Sequence, residues 1–99
     1  MTKPMYTIKS IAAVKRDIRK LDKQLQRIIK ENYLADIEDD PFRAVPLSHE
    51  FKGLWSYHFK YKGGQYRIAY EVYPEDEIAL VIMIGTRERF YQALRRRVR

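Results

Sequence analysis

The sequence contains no cysteine, and this absence excludes disulfide bonds and thiolate metal sites. Glycine and proline number only four each, so the composition is far from that of collagen-like or low-complexity chains. No apolar run approaches the length of about 20 residues that a membrane span requires, and residues 1–4 carry no apolar signal segment. These absences predict a cytoplasmic protein that does not bind membranes.

The composition that remains is that of a small basic domain. The 99 residues, of which 45% are hydrophobic and 13% aromatic, are enough for one core, so we expect a single domain at residues 1–99. The formal charge of +7 indicates a polyanionic partner or an acidic protein partner. The chain lacks Gly-rich phosphate-binding motifs and any His/Asp cluster with metal-ligand spacing, so we expect no metal and no cofactor.

The first half of the chain predicts one strand followed by two helices. Met5–Lys9 alternates and is rich in β-formers, and Ser10 is a suitable N-cap for a helix that follows it. Two apolar stripes at helical spacing come next, with Asp22 between them as a second predicted cap. We expect an antiparallel helical hairpin that covers one face of a sheet. The stripes are Ile11, Val14, Ile18 and Leu21, then Leu25, Ile28, Ile29, Tyr33 and Leu34.

The second half predicts strands and a terminal helix. Arg43–Leu47 is a candidate edge strand because Pro46 interrupts it. Two alternating strands meet at a Gly63–Gly64 turn, Ile78–Ile84 is apolar on both faces as in a central strand, and Arg87–Arg97 predicts a helix. The predicted fold class is therefore α+β, with an N-terminal strand and a helical hairpin packed on a small twisted antiparallel sheet, and a short C-terminal helix.

Alternation divides the side chains of the central hairpin between two faces. One face is aromatic and aliphatic and should pack on the core; it comprises Trp55, Tyr57, Phe59, Tyr61, Tyr66, Ile68, Tyr70 and Val72. The opposite face carries Ser56, His58, Lys60, Lys62, Arg67, Ala69 and Glu71, which are all polar except Ala69. Imidazole, ammonium and guanidinium groups together suit the binding of a phosphate and reaction at it.

Three residues of this polar face are candidates for chemistry. The forked guanidinium of Arg67 can bind two phosphate oxygens and stabilise developing negative charge; the alternative is an ion pair with Glu71 or Glu50. His58 and Lys60 lie on one strand face and can point at one ligand. Imidazole has the pKa for proton transfer at neutral pH, although a surface histidine can equally have no function.

A second group of candidates follows the last predicted strand. Arg87 comes just after Gly85, and Tyr91 lies one helical turn further on the same side. The phenol of Tyr91 can stack on a base or donate a proton, or it can pack beside Phe90. Glu50, before the hairpin, can supply a base. These side chains suit RNA, whose 2′-hydroxyl is an internal nucleophile beside the phosphorus.

Three runs of the sequence, Leu47–Tyr57, Gln65–Val72 and Ile84–Tyr91, resemble the RelE/ParE superfamily of toxin–antitoxin toxins, and the resemblance spans nearly the whole chain. It implies a toxin of the RelE-like mRNA interferase branch. Such a toxin is an endoribonuclease that cleaves mRNA in the ribosomal A site, inhibits translation and is silenced by a cognate antitoxin.

The resemblance also implies roles for individual residues. Arg67 and Arg87 would stabilise charge on the phosphate, and Tyr91 would stack on or orient the base. His58 and Lys60 are the nearest matches to two catalytic hairpin lysines of the family, and with Glu50 they compete, in that order, for the general base. Further contacts to RNA are expected from Lys52, Lys62 and Arg89. The same superfamily includes ParE-type inhibitors of DNA gyrase, and a toxin that only binds its antitoxin is a third alternative.

Overall fold

The sheet is built around the central hairpin. In the computed structural model, which describes residues 5–98, β3 (Leu54–Tyr61) and β4 (Gly64–Tyr73) pair antiparallel. Lys62 and Gly63 connect them with φ angles of 47° and 81°. Positive φ at both central residues is the geometry of a type I′ turn, whose twist matches that of the strands. The turn therefore lies one residue earlier than the predicted Gly63–Gly64 position.

The remaining strands extend the sheet on both sides to the order β1-β5-β4-β3-β2. β5 (Ile78–Thr86) is antiparallel to β4, and β2 (Val45–Pro46) forms the edge beside β3, as Pro46 indicated. β1 (Thr7–Ser10) forms the other edge and is parallel to β5, and the helices that follow β1 lead to β2 at the opposite edge. The α+β class is confirmed, and the sheet contains one parallel pair where only antiparallel pairing was predicted.

The helical hairpin consists of α1 (Val14–Arg19) and a longer helical stretch. That stretch begins with α2 (Lys23–Ile28), widens into a π-helical segment (Ile29–Tyr33) and ends with α3 (Leu34–Asp39). The carboxylate of Asp22 accepts the Leu25 N–H at 2.8 Å, which confirms the predicted cap of α2. The predicted cap at Ser10 is wrong: Ser10 still pairs with β5, and Ala13 precedes α1 without a side-chain cap.

The helices cover one face of the sheet, and the residues of the predicted apolar stripes belong to the core except for Ile28. Tyr70 is fully buried there, and its hydroxyl donates to the carbonyl oxygen of Pro41 at 2.6 Å. Tyr33 stacks on Phe59 with ring centroids 4.3 Å apart, which joins the π-helical segment to β3. The buried members of this core are Val14, Leu25, Ile29, Ile37, Phe59, Ile68, Tyr70, Ala79, Val81 and Ile84.

The opposite face is also partly covered, which the alternation did not predict. α4 (Phe90–Arg97) and a short 3-10 turn (His49–Phe51) pack on it, and Ser56 and Ala69 are fully buried beneath them. α4 begins at Phe90 and not at Arg87. Its apolar stripe ends at Leu94, because Val98 is 45% exposed. The part of this face near the hairpin turn is left open, and His58 and Lys60 are exposed there.

A buried ion pair connects α1, α4 and β5. Arg97 donates two hydrogen bonds to the carboxylate of Asp17, which is only 8% exposed. The same carboxylate accepts the Ile84 N–H at 3.0 Å, and Arg97 donates to the Ile82 carbonyl oxygen at 3.1 Å. β1 pairs with β5 only as far as Val81. Beyond that residue, the side chains of Asp17 and Arg97 bond backbone groups of β5 in its place. Within residues 5–98 no helix is both long and apolar enough to cross a membrane.

Candidate active site

The open part of the α4 face brings His58 and Arg67 together. They are directly opposite each other in the β3–β4 ladder, and Lys60 is opposite Gln65 two pairs closer to the turn. These four residues line a shallow cavity of about 130 Å³ with Phe59 and Tyr66. The hairpin thus places an imidazole, an ammonium and a guanidinium around one small cavity, as the alternation predicted.

Arg67 connects this cavity to α4. Its guanidinium carbon lies 5.1 Å from the ring centroid of Tyr91, within the range of a cation–π contact. Tyr91 is 36% exposed, and its ring also lies 5.9 Å from Phe51 and 5.8 Å from Phe90. The structure therefore brings Arg67 and Tyr91 together from distant parts of the sequence.

The ion pair considered as an alternative for Arg67 is absent among the described residues. Glu71 accepts a hydrogen bond from the hydroxyl of Tyr73, and Glu50 pairs with Arg95. Arg67 itself contacts the ring of Tyr91. This ring has no net charge, so it does not compensate the charge of the guanidinium. A partly buried cation without a carboxylate partner is available for an anionic ligand.

A hydrogen bond to Ser56 holds the ring of His58. Its Nε2 atom lies 3.0 Å from the hydroxyl oxygen of Ser56. Burial lowers the pKa of His58 below its ordinary value, and the positive charge of Arg67 lowers it further. The unfolded chain therefore binds a proton at His58 at a higher pH than the folded chain. This residue makes folding less favourable as the pH falls below about 6.5, until the folded-state pKa is reached.

The backbone of Arg87 is bonded to a residue that lines this cavity. Its N–H donates to the Gln65 carbonyl oxygen at 2.8 Å, which fixes the end of β5 beside the start of β4. Its side chain is 52% exposed, and the nearest carboxylate, that of Glu88, is 4.0 Å away. Arg89 precedes α4 in the left-handed conformation, with φ 58°. Arg89 lines a separate cavity with Lys20, outside the one that contains Arg67.

Glu50 is bound by α4. Arg95 donates from Nε and Nη2 to its two carboxylate oxygens at 2.9 and 2.7 Å. This paired hydrogen bond lowers the pKa of Glu50 below its ordinary value. The pair lines a groove of about 460 Å³ with Val45, His49 and Tyr91, next to the cavity that contains Arg67.

The other two lysines proposed to contact RNA lie outside the cavity. Lys62 is at the hairpin turn, and its ammonium lies 5.4 Å from the Tyr61 ring centroid. Lys52 is exposed after the 3-10 turn and lines a different cavity with Leu54. Among residues 5–98, no group of three or more His, Cys, Asp or Glu side chains is arranged to hold a metal ion.

Two residues near the site were not singled out from the sequence. Ser56 was placed on the correct face, but its burial depends on α4, whose packing no local pattern reveals. Arg95 belongs to the Arg-rich terminal run. Its spacing from Phe90 and Leu94 shows only on which side of the helix it lies. A partner 45 positions away cannot be read from either pattern.

Known structures share this fold. The free form of a doubly substituted E. coli RelE toxin is similar, with a TM-score of 0.74, 18% identity and coverage of 96% of this chain and 99% of that one. The toxin–antitoxin complex RelBE2 from Mycobacterium tuberculosis gives a TM-score of 0.73, with 24% identity and coverage of 87% and 95%. An archaeal RelE–RelB complex from Pyrococcus horikoshii gives 0.64, with 22% identity and coverage of 86% and 98%. The chain therefore has the fold of RelE toxins.

The family is shown by the sequence itself. A family model for ParE-like toxins of type II bacterial toxin–antitoxin systems matches residues 8–95. The protein belongs to this family, within the RelE/ParE superfamily. No curated protein matches the sequence significantly.

Proposed function

We propose that this toxin is an endoribonuclease that cleaves mRNA in the ribosomal A site and so inhibits translation. The observation that carries the proposal is the grouping of Arg67 with His58 on one side and Tyr91 on the other. The β3–β4 hairpin presents a phosphate-binding cation and a titratable ring to one small cavity, and α4, from a distant part of the sequence, places an exposed aromatic ring against that cation.

The reaction needs no group beyond those that RNA and these side chains offer. The 2′-oxygen attacks the adjacent phosphorus and loses its proton to a base, and the bond from phosphorus to the 5′-oxygen breaks. An acid protonates the leaving oxygen, so the products are a 2′,3′-cyclic phosphate and a 5′-hydroxyl. Arg67 and the exposed Arg87 stabilise the additional negative charge on the phosphate. Tyr91 stacks on the neighbouring base.

Three residues are candidates for the base that accepts the 2′-proton. His58 and Lys60 line the cavity with Arg67. Glu50 is the weakest of the three, because its ion pair with Arg95 lowers its affinity for a proton. Lys52, Lys62 and Arg89 lie outside the cavity, where they can contact the phosphates on either side of the cleaved one.

We also propose that a cognate antitoxin binds this toxin. The M. tuberculosis and P. horikoshii structures are complexes of a toxin with its antitoxin. The formal charge of +7 favours an acidic partner, because opposite charges speed the association of two proteins. An acidic antitoxin would also compete with RNA for the cations of the site.

A second candidate function is inhibition of DNA gyrase without nuclease activity. It is favoured by one observation, the match to a family model named for ParE-like toxins. This second function does not explain why Arg67, His58 and Tyr91 are grouped together.

One experiment separates the two functions. Purified toxin is added to translating ribosomes, and new mRNA ends are mapped by primer extension, while a gyrase supercoiling assay runs in parallel. We expect codon-dependent cuts from the wild type and none from Arg67→Ala. The matched control is Arg43→Ala, a change of an arginine that is 66% exposed at the end of the helical hairpin. Gyrase inhibition without cuts would establish the second function instead.

A further inference from the structure

Ser56 is a buried hydroxyl with one hydrogen-bonding partner. Its exposure is 0%, and it pairs with Ala69, which packs in one cluster with Phe51 of the short 3-10 turn and Phe90 of α4. Among residues 5–98, the Nε2 atom of His58, at 3.0 Å, is the one group that the Ser56 side chain bonds, and the ring of His58 makes no second hydrogen bond. The direction of this bond therefore determines where the proton of the neutral ring lies.

The burial of Ser56 determines that direction. A hydroxyl that accepted a hydrogen bond from Nε2–H would keep its own O–H in the core without an acceptor, which is unfavourable. A hydroxyl that donates to Nε2 satisfies both groups at once. The neutral ring then carries its proton on Nδ1, since neutral imidazole has one donor nitrogen and one acceptor nitrogen.

The surrounding charges also favour the neutral ring. Arg67 faces His58 from β4, and Lys60 lies two residues along the same face of β3. Two other elements pack on this face. α4 contributes Tyr91, which contacts Arg67, and Arg95, whose charge compensates that of Glu50 from the 3-10 turn. The groups around His58 thus add positive charge, which disfavours a second proton on the ring.

We propose that Ser56 is a positioning residue that holds His58 as the neutral tautomer protonated at Nδ1. In this state His58 donates a hydrogen bond from Nδ1 to an oxygen of the phosphate and does not accept the 2′-proton of RNA. The role toward RNA rests on the proposed nuclease function, whereas the tautomer is a property of the free protein. Lys60 is then the remaining nitrogen candidate in the cavity for the proton acceptor.

The first test uses the free protein and no RNA. The ¹⁵N chemical shifts of labelled histidine rings report the tautomer of His58 above its pKa, and a pH titration gives that pKa. We expect the Nδ1–H form in the wild type, and in Ser56→Ala a loss of this preference with a raised pKa. Ser10→Ala, a change of an exposed serine at the end of β1, is the matched control and should alter neither value. An Nε2–H ring in the wild type would overturn the proposal, whether or not Ser56→Ala folds.

The second test measures cleavage with ribosomes. The amide of Asn reaches about the position of Nδ1, and that of Gln about the position of Nε2. Both amides can donate a hydrogen bond, but neither takes up a proton. We expect His58→Ala to lose roughly 10²–10³-fold, as when a donor to developing charge is removed. His58→Asn should recover activity to within about tenfold of the wild type, and His58→Gln should recover less. If His58→Asn is as inactive as His58→Ala, His58 accepts the proton and the proposal is wrong.

The two tests separate this inference from the proposed nuclease function. A wild type that cuts no RNA removes the nuclease function, and with it the role of His58 toward phosphate. The ¹⁵N shifts still determine whether Ser56 sets the tautomer. A wild type that cuts RNA with an Nε2–H ring leaves the nuclease function intact and rejects the inference.

Discussion

Replacing Asp17 by alanine should destabilise the protein more than any surface substitution. The change leaves the guanidinium of Arg97 without its carboxylate and the Ile84 N–H without its acceptor. Breaking a buried ion pair by removing one partner costs roughly 3–5 kcal/mol. The side chain of Arg97 is 23% exposed and can turn toward water, so the lower end, about 3 kcal/mol, is expected. For a domain of this size that corresponds to a fall in Tm of roughly 12–24 °C.

The assay is thermal and urea unfolding followed by circular dichroism. The set comprises Asp17→Ala, Arg97→Ala and the double variant, and the double variant should be more stable than the sum of the two single losses predicts. Asp39→Ala is the matched control, since its pair with Arg43 is 58% and 66% exposed and should contribute less than about 1 kcal/mol. If Asp17→Ala costs no more than Asp39→Ala, the pair does not hold α4 on the sheet and the reasoning fails.

Three further predictions concern the candidate site. Arg67→Ala should raise the pKa of His58, because a like charge is removed, and should abolish growth inhibition while the circular dichroism spectrum stays unchanged; a variant that remains fully toxic would rule out Arg67 as the phosphate-binding residue. Arg87→Ala should lower mRNA cleavage with ribosomes by roughly 10²–10³-fold, and unchanged cleavage would place Arg87 outside the site. Tyr91→Phe should retain cleavage to within about tenfold because stacking needs only the ring, whereas a loss as large as that of Tyr91→Ala would assign the phenol a proton-transfer role.

The sequence predicted the parts of the fold that local patterns encode. Alternation placed His58, Lys60 and Arg67 on one face, and the cap at Asp22 follows from side-chain chemistry within one helical turn. The predicted cap at Ser10 and the predicted position of the hairpin turn were wrong, because a strand uses the same residues. Ser10 has the chemistry of a cap, but its backbone is already used in β1, and Gly64 is a natural turn residue that pairs with Tyr61 as the first residue of β4.

What could not be predicted depends on contacts between distant residues. A serine in alternation with aromatic residues reads as a solvent-facing position unless another element is known to cover it, and Ser56 is buried only because α4 returns to that face. Asp17 and Arg97 are 80 positions apart, and each reads alone as an ordinary surface charge of a helix. The contact between Arg67 and Tyr91 has the same origin, since it requires the position of α4 as well as the alternation of β4.

The π-helical segment Ile29–Tyr33 has a consequence for the phase of the long helical stretch. Leu25, Ile29, Tyr33 and Ile37 recur at every fourth position and all face the sheet. In a regular α-helix, with 3.6 residues per turn, each such step overshoots a full turn by about 40°, so the last of the four would point about 120° away from the first. A π-helical turn contains more residues and removes part of this drift. The segment thus keeps the four side chains on the side of the helix that faces the sheet. Deletion of one residue within it should rotate Tyr33 away from Phe59.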